Sequence, residues 1–194
     1  MKKLLFLLLV LPASILFGQA VNDECANRLT ISPGVGAFNE FSVDTSTATE
    51  SLDASCETAS QVNLDVWYEF TMPVNGNIRI TNIPNTVYRT LYDTCGGVDL
   101  VCGSDDGFFY NLTSGTTYVL RMSERSLFAS ADDFTIQAFE TAANDECVNR
   151  NNIIVNTGSV TNTTLDFRTA TESVDGPCEA AGNTQHDLWY EFTI

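Results

Sequence analysis

The chain has 194 residues, 44% of them apolar and 18% charged, with 25 acidic side chains against nine basic ones. A formal net charge of −16 sets a negative surface against phosphate backbones and anionic lipid, which excludes nucleic acid as a partner. A single histidine and six cysteines with no CxxC pair exclude the common zinc sites and, in residues 21–141, any histidine-dependent catalytic triad.

Met1-Lys2-Lys3, the apolar run 4–17 and the small residues Gly18 and Ala20 have the form of a secretory signal over residues 1–20. The run is shorter than the roughly 20 residues a spanning helix needs, so the expected location is secreted or cell-surface, with no transmembrane span in the mature chain. Lys2 and Lys3 are the only lysines, and the exported part keeps seven arginines against 25 acids, 7 − 25 = −18.

Residues 22–72 return at 144–194 without a gap, an offset of 144 − 22 = 122, and 24 of the 51 paired positions are identical. A fixed period defines the organisation before any fold is assigned. The units are 21–141 and 142–194, and the second holds only the N-terminal part of the repeat, as in a fragment of a longer array. The join at 140–143 is too short for a flexible tether.

Strands are expected in chain order at 29–32 and 38–43, around 47–50, and at 66–72, where β-branched and aromatic residues concentrate. Asn75-Gly76 predicts a hairpin turn into a strand at 77–82, whose Ile78 and Ile80 alternate with polar residues. Further strands at 87–92, 108–112, 117–122 and 133–139 surround a hairpin between Cys95 and Cys102 and an acidic turn at 103–107. No sustained helical period occurs after the signal. Short strands at this spacing predict an all-β fold, an antiparallel β-sandwich of jelly-roll type, in tandem.

The exported cysteines are in a compartment that permits disulfides. The second unit keeps only Cys147 and Cys178, the counterparts of Cys25 and Cys56, and Cys95 and Cys102 bracket Gly96-Gly97. The expected bridges are therefore Cys25–Cys56, Cys147–Cys178 and Cys95–Cys102.

In the 66–72 strand, alternation puts Val66, Tyr68 and Phe70 on one face and Asp65, Trp67 and Glu69 on the other. The second copy changes the first row to Leu188, Tyr190 and Phe192, an apolar exchange expected of a core face, and repeats the other row as Asp187, Trp189 and Glu191. An aromatic ring flanked by carboxylates suits a sugar, whose CH groups stack while its hydroxyls donate; a structural role for Trp67, beneath a disulfide-tied loop, is the competing expectation. Asn22, Asp23 and Glu24, with Asp105 and Asp106, supply oxygen ligands for a candidate calcium ion, though no EF-hand spacing occurs. No catalytic constellation is present, so the chain is not expected to be an enzyme.

The order Asn-Asp-Glu-Cys, Thr-Ala-Thr-Glu-Ser, Cys, Asp-Val-Trp-Tyr-Glu-Phe-Thr, then Cys95-Gly96, Val101-Cys102, Ser104-Asp105-Asp106 and Thr116-Thr117-Tyr118-Val119-Leu120-Arg121, resembles the tandem β-sandwich modules of secreted bacterial proteins. It is similar to the pre-peptidase C-terminal (PPC-like) domain, found in cargo of the type IX secretion system. That resemblance implies a non-catalytic module, sometimes calcium-stabilised, with Asn22, Asp23, Asp105 and Asp106 as ligands. The function expected is adhesion or binding of polysaccharide or protein, or spacing within a larger protein. The alternative is an accessory targeting domain of a secreted hydrolase.

Overall fold

The computed structural model describes residues 18–58, 61–104, 106–155, 158–160, 162–171 and 186–193. Most of the expected signal segment and Cys178 therefore lie outside the described residues, as does Asp105.

The first unit is built from β1 (Leu29–Thr30), β2 (Gly34–Val35), β3 (Asn39–Asp44), β4 (Asn63–Thr71), β5 (Gly76–Thr81), β6 (Val87–Tyr92), β7 (Asp99–Ser104), β8 (Gly107–Leu112), β9 (Thr117–Arg125) and β10 (Ala131–Glu140). One sheet runs β1-β4-β9-β6-β7, and the other runs β2-β10-β5-β8 with β3 also on β10. The long ladders are antiparallel, and the two-residue strands β1 and β2 add parallel edges to β4 and β10.

Alternation in the sequence decides which side chains fill the space between the sheets. Val66, Tyr68 and Phe70 of β4 face inward with Ile78 and Ile80 of β5, Leu91 of β6, Leu120 and Met122 of β9, and Phe134 and Ile136 of β10. All are buried, and each large apolar side chain contributes on the order of 1.5–3 kcal/mol by leaving water. Tyr68 keeps its hydroxyl satisfied by donating to the Ser42 carbonyl at 2.6 Å.

Two expected elements take another form. Asn75-Gly76 does not close a hairpin, because β4 pairs with β1 and β9 while β5 pairs with β8 and β10. The turn instead carries the chain from one sheet to the other. Gly76 has φ +146°, and a Cβ there would lie 2.0 Å from the Phe139 carbonyl oxygen, so no larger residue fits the corner. Residues 47–50 form no strand. Ala48 N–H donates to the Thr45 carbonyl, and Thr49 serves the N-terminal segment through its backbone and side chain.

In the second unit the described elements are short 3-10 turns at Cys147–Asn149 and Phe167–Thr169, and β11 (Asn151–Ile153) paired in parallel with β12 (Tyr190–Phe192). The units meet directly. The join is tied on both sides, Thr141 N–H to the Asn75 carbonyl within the first unit at 2.9 Å and Ala142 N–H to the Thr169 carbonyl within the second at 2.8 Å. Asn77 of β5, fully buried, donates its carboxamide to the Arg168 and Ala170 carbonyls at 3.0 and 3.1 Å while its Oδ1 accepts from Asn111 N–H at 3.1 Å. The Arg168 guanidinium lies 5.1 Å over the Phe139 ring.

Candidate binding site

The residues repeated between the units fix the N-terminal segment to the outer face of β4. Trp67 N–H donates to the Asn22 carbonyl at 2.8 Å, and the Asn22 carboxamide donates to the Trp67 carbonyl at 3.0 Å. Asp23 is buried and accepts from the backbone and hydroxyl of Thr49 and from the Gln19 amide. Arg28 donates to Glu69 at 2.7 Å, and Glu69 also accepts from the Thr30 hydroxyl. The second unit makes the same bonds: Asn144 with Trp189, Asp145 with Thr171, and Arg150 with Glu191.

Asp65 and Trp67 are consequently interior. Trp67 is 1% exposed and packs with Tyr92, Val119, Leu52 and Cys25 in a second small core on the outside of the sheet. Its indole N–H donates to Ser51 Oγ and Asp65 Oδ1, both at 3.0 Å. No ring face is left for a sugar, which corrects the expectation of an open platform at Asp65, Trp67 and Glu69. The physical reason is that the N-terminal segment and the 50–57 loop cover this side of the sheet. In the second unit Asp187 and Trp189 bond through their backbone N–H groups to Thr171 and Asn144 in the corresponding way.

Arg121 lies opposite Trp67 in the β4–β9 ladder and organises this cover. Its guanidinium donates to Asp65 at 2.8 Å and to Glu57 at 2.6 Å, with all three side chains at 2% exposure or less. Ser123 donates to Glu57, and Ser51 donates to Asp65 through backbone and hydroxyl. Desolvation would lower the Arg121 pKa, but the charges of Asp65 and Glu57 outweigh it and hold it above the ordinary arginine value. A signal for these partners was present in the sequence: Arg121 is the one charged residue in 117–122, and Ser51 and Glu57 recur as Ser173 and Glu179.

The disulfides are Cys25–Cys95 and Cys56–Cys102, which corrects the pairing expected from the repeat. Cys95 sits in the turn of the β6–β7 hairpin, whereas Cys102 faces Thr90 several residues down the ladder, so the two are not opposite one another. Each is tied instead to the covering layer. Cys147 is a free, exposed thiol; its expected partner Cys178 lies outside the described residues.

The calcium candidates among the described residues do not assemble into a ligand sphere, and Asp105 lies outside those residues. Asn22 and Asp23 spend their polar groups on Trp67, Thr49 and Gln19, Glu24 is exposed, and Asp106 accepts from Ile83 N–H on a different loop. Among the described residues no group of three or more His, Cys, Asp or Glu side chains is placed to hold a metal ion.

What the surface offers is a hollow between the units. About 340 Å³ of space is walled by Val35 and Gly36 of the β2 edge, Gln137 and Phe139 of β10, and Asp166 and Arg168 of the second unit. On the wall from the second unit, Arg168 makes a two-pronged ion pair with Asp166 at 2.7 and 2.8 Å. Gln137 is 6% exposed, and its Oε1 has no hydrogen-bond partner among the described residues. Neither Gln137 nor Arg168 stood out in the sequence, since Gln137 lies outside the stretch compared between the two copies and Arg168 replaces Ser46.

The described residues thus form a disulfide-stapled β-sandwich whose repeated polar residues build its scaffold. The chain belongs to the type IX secretion-associated family described as galactose-binding-domain-like, whose model matches twice, at residues 21–136 and 143–194. The match carries the type IX association and the β-module, and it names this family where the motifs resembled the PPC-like domain. No curated protein sequence matches the chain. Among solved structures it is similar to PliG of Aeromonas hydrophila, a periplasmic inhibitor of g-type lysozyme, at 7% identity and a TM-score of 0.34, over 56% of this chain and 95% of that one. Among the described residues no helix is long and apolar enough to cross a membrane.

Proposed function

We propose that the chain is a secreted or cell-surface tandem module, units 21–141 and 142–194 behind a signal segment, that binds extracellular carbohydrate or protein without chemical turnover. The observation that carries this reading is the double match to a galactose-binding-domain-like family. The geometry supports it: the repeated acids and aromatics are committed to holding the fold, and two disulfides suit an oxidising compartment. Asn77, Arg168 and Phe139 hold the units against each other, which suits adhesion and spacing within a larger protein.

The test is a glycan array together with immobilised extracellular matrix proteins, probed with the oxidised chain. Concentration-dependent capture on one surface, with the captured ligand unchanged in mass, is expected. Cleavage of a bound ligand would overturn the non-catalytic reading, and failure to bind either class would overturn the binding one.

A further inference from the structure

We propose that the hollow between the units is a sugar-binding site, taking one neutral hexose residue of a glycan, to which both units contribute. The proposal rests on the carbohydrate branch of the reading above and adds the site, the residues and the need for two units.

The first observation is the state of Gln137. A buried carboxamide oxygen without a partner is costly, on the order of 1–3 kcal/mol, unless something supplies the missing donor. Gln137 lines the hollow, and a hydroxyl is a donor that reaches such an oxygen without bringing a charge. The second observation is size, since about 340 Å³ lies at the small end of ligand pockets, the range that suits a single ring rather than a peptide. The third is polar composition. Asp166 accepts only and Arg168 donates only, whereas the Gln137 amide does both, so adjacent hydroxyls of one ring find both kinds of partner.

Electrostatics favour a neutral ligand. Glu140 and Asp166 outnumber Arg168 around the hollow, and the whole chain is strongly negative, so an anionic sugar is repelled before it docks. Beside it lies an aromatic strip that Arg168 also borders: Phe108 and Tyr110 stack at 5.5 Å on β8, the His186 ring packs on Tyr110 at 4.2 Å, and Tyr110 keeps 38% exposure for contact with the CH groups of a sugar ring.

The wall lent by the second unit is surface by construction. Asp166, Arg168 and Thr169 correspond to Asp44, Ser46 and Thr47, which are exposed in the first unit although that unit has ten strands around them. The set is drawn from both units, Gln137 from the first and the Asp166–Arg168 pair from the second.

The experiment is a titration of the isotopically labelled, oxidised chain with galactose, glucose, mannose and N-acetylglucosamine up to about 20 mM, a range that covers weak single-sugar affinities. One of these sugars is expected to shift the Gln137 side-chain amide and the Arg168 Nε–H resonances. Gln137→Ala, and separately Asp166→Ala, should each weaken that binding about tenfold or more without lowering the thermal midpoint; Gln137→Met retains the volume if the alanine variant unfolds. Binding with shifts elsewhere, unchanged in these variants, overturns the site and leaves the binding function standing. Loss with the Gln137 variants but not with Asp166→Ala overturns the two-unit site. No shift with any of the sugars overturns the site and removes the carbohydrate branch, leaving protein binding as the function.

Discussion

Asn22 and Trp67 are joined twice, by the Trp67 N–H to the Asn22 carbonyl at 2.8 Å and by the Asn22 carboxamide to the Trp67 carbonyl at 3.0 Å. Asn144 and Trp189 repeat both bonds at the same lengths 122 residues later. Asn22→Ala should therefore cost about 1–3 kcal/mol, because the buried Trp67 carbonyl loses a partner that water does not replace. Urea melts of the oxidised protein measure it; a change below about 0.5 kcal/mol would show that the Asn22 carboxamide adds little to the ties made by Asp23, Arg28 and the Cys25–Cys95 bridge.

Arg121 neutralises two buried carboxylates. Arg121→Met should destabilise the fold by about 3–5 kcal/mol at pH 7, since Asp65 and Glu57 are left charged and unpaired. Replacing both acids as well, Asp65→Asn and Glu57→Gln, should recover part of that stability, because no uncompensated charge is then left in the interior. An equal loss in the triple variant would locate the effect in packing rather than charge.

The disulfide pattern makes a covalent prediction. Peptide mapping without reduction should recover Cys25 with Cys95 and Cys56 with Cys102, and Cys147 should alkylate in the native chain. The bridges close spans of 70 and 46 residues, and each is worth roughly 4 kcal/mol if restriction of the unfolded chain accounts for it. Removing Cys56 and Cys102 together by alanine substitution should lower the urea midpoint accordingly.

Burial raises the pKa of Tyr68 to about 12 and that of Tyr92 to about 12. The unfolded chain ionises these phenols near pH 10, whereas the fold keeps them neutral, so their contribution is complete below pH 10 and falls away as pH rises towards 12. Stability measured between pH 9 and 12 should decline, and Tyr68→Phe should flatten part of that decline. An unchanged slope in the variant would exclude Tyr68 as a source.

The strand at 87–92 was legible to the residue, and so was the core row Val66, Tyr68 and Phe70, because a period of two with apolar exchange between copies reports burial directly. The opposite row at Asp65 and Trp67 left two readings open, a sugar platform and structural cover beneath the disulfide-tied loop, and the structure has the second. A repeated aromatic with acids looks the same in sequence whether it faces water or a covering segment, and only the contacts of the N-terminal segment and Arg121 separate the two cases. The hairpin expected at Asn75-Gly76 failed for a related reason: a turn signal specifies a reversal, not which sheet receives the next strand.

By itself, the sequence determined the repeat, the all-β class and the alternating core, since these follow from local periodicity and from comparison of two copies. Tertiary structure decided the disulfide partners, the burial of Trp67 and the meeting of Gln137 with Asp166 and Arg168. Those relationships join residues tens of positions apart, and their distances are set by how β4, β9 and β10 pair and how the second unit seats on Asn77. Residues within one strand carry no record of that pairing, so the side of the sheet that is covered and the side that stays open emerge only when the layers close.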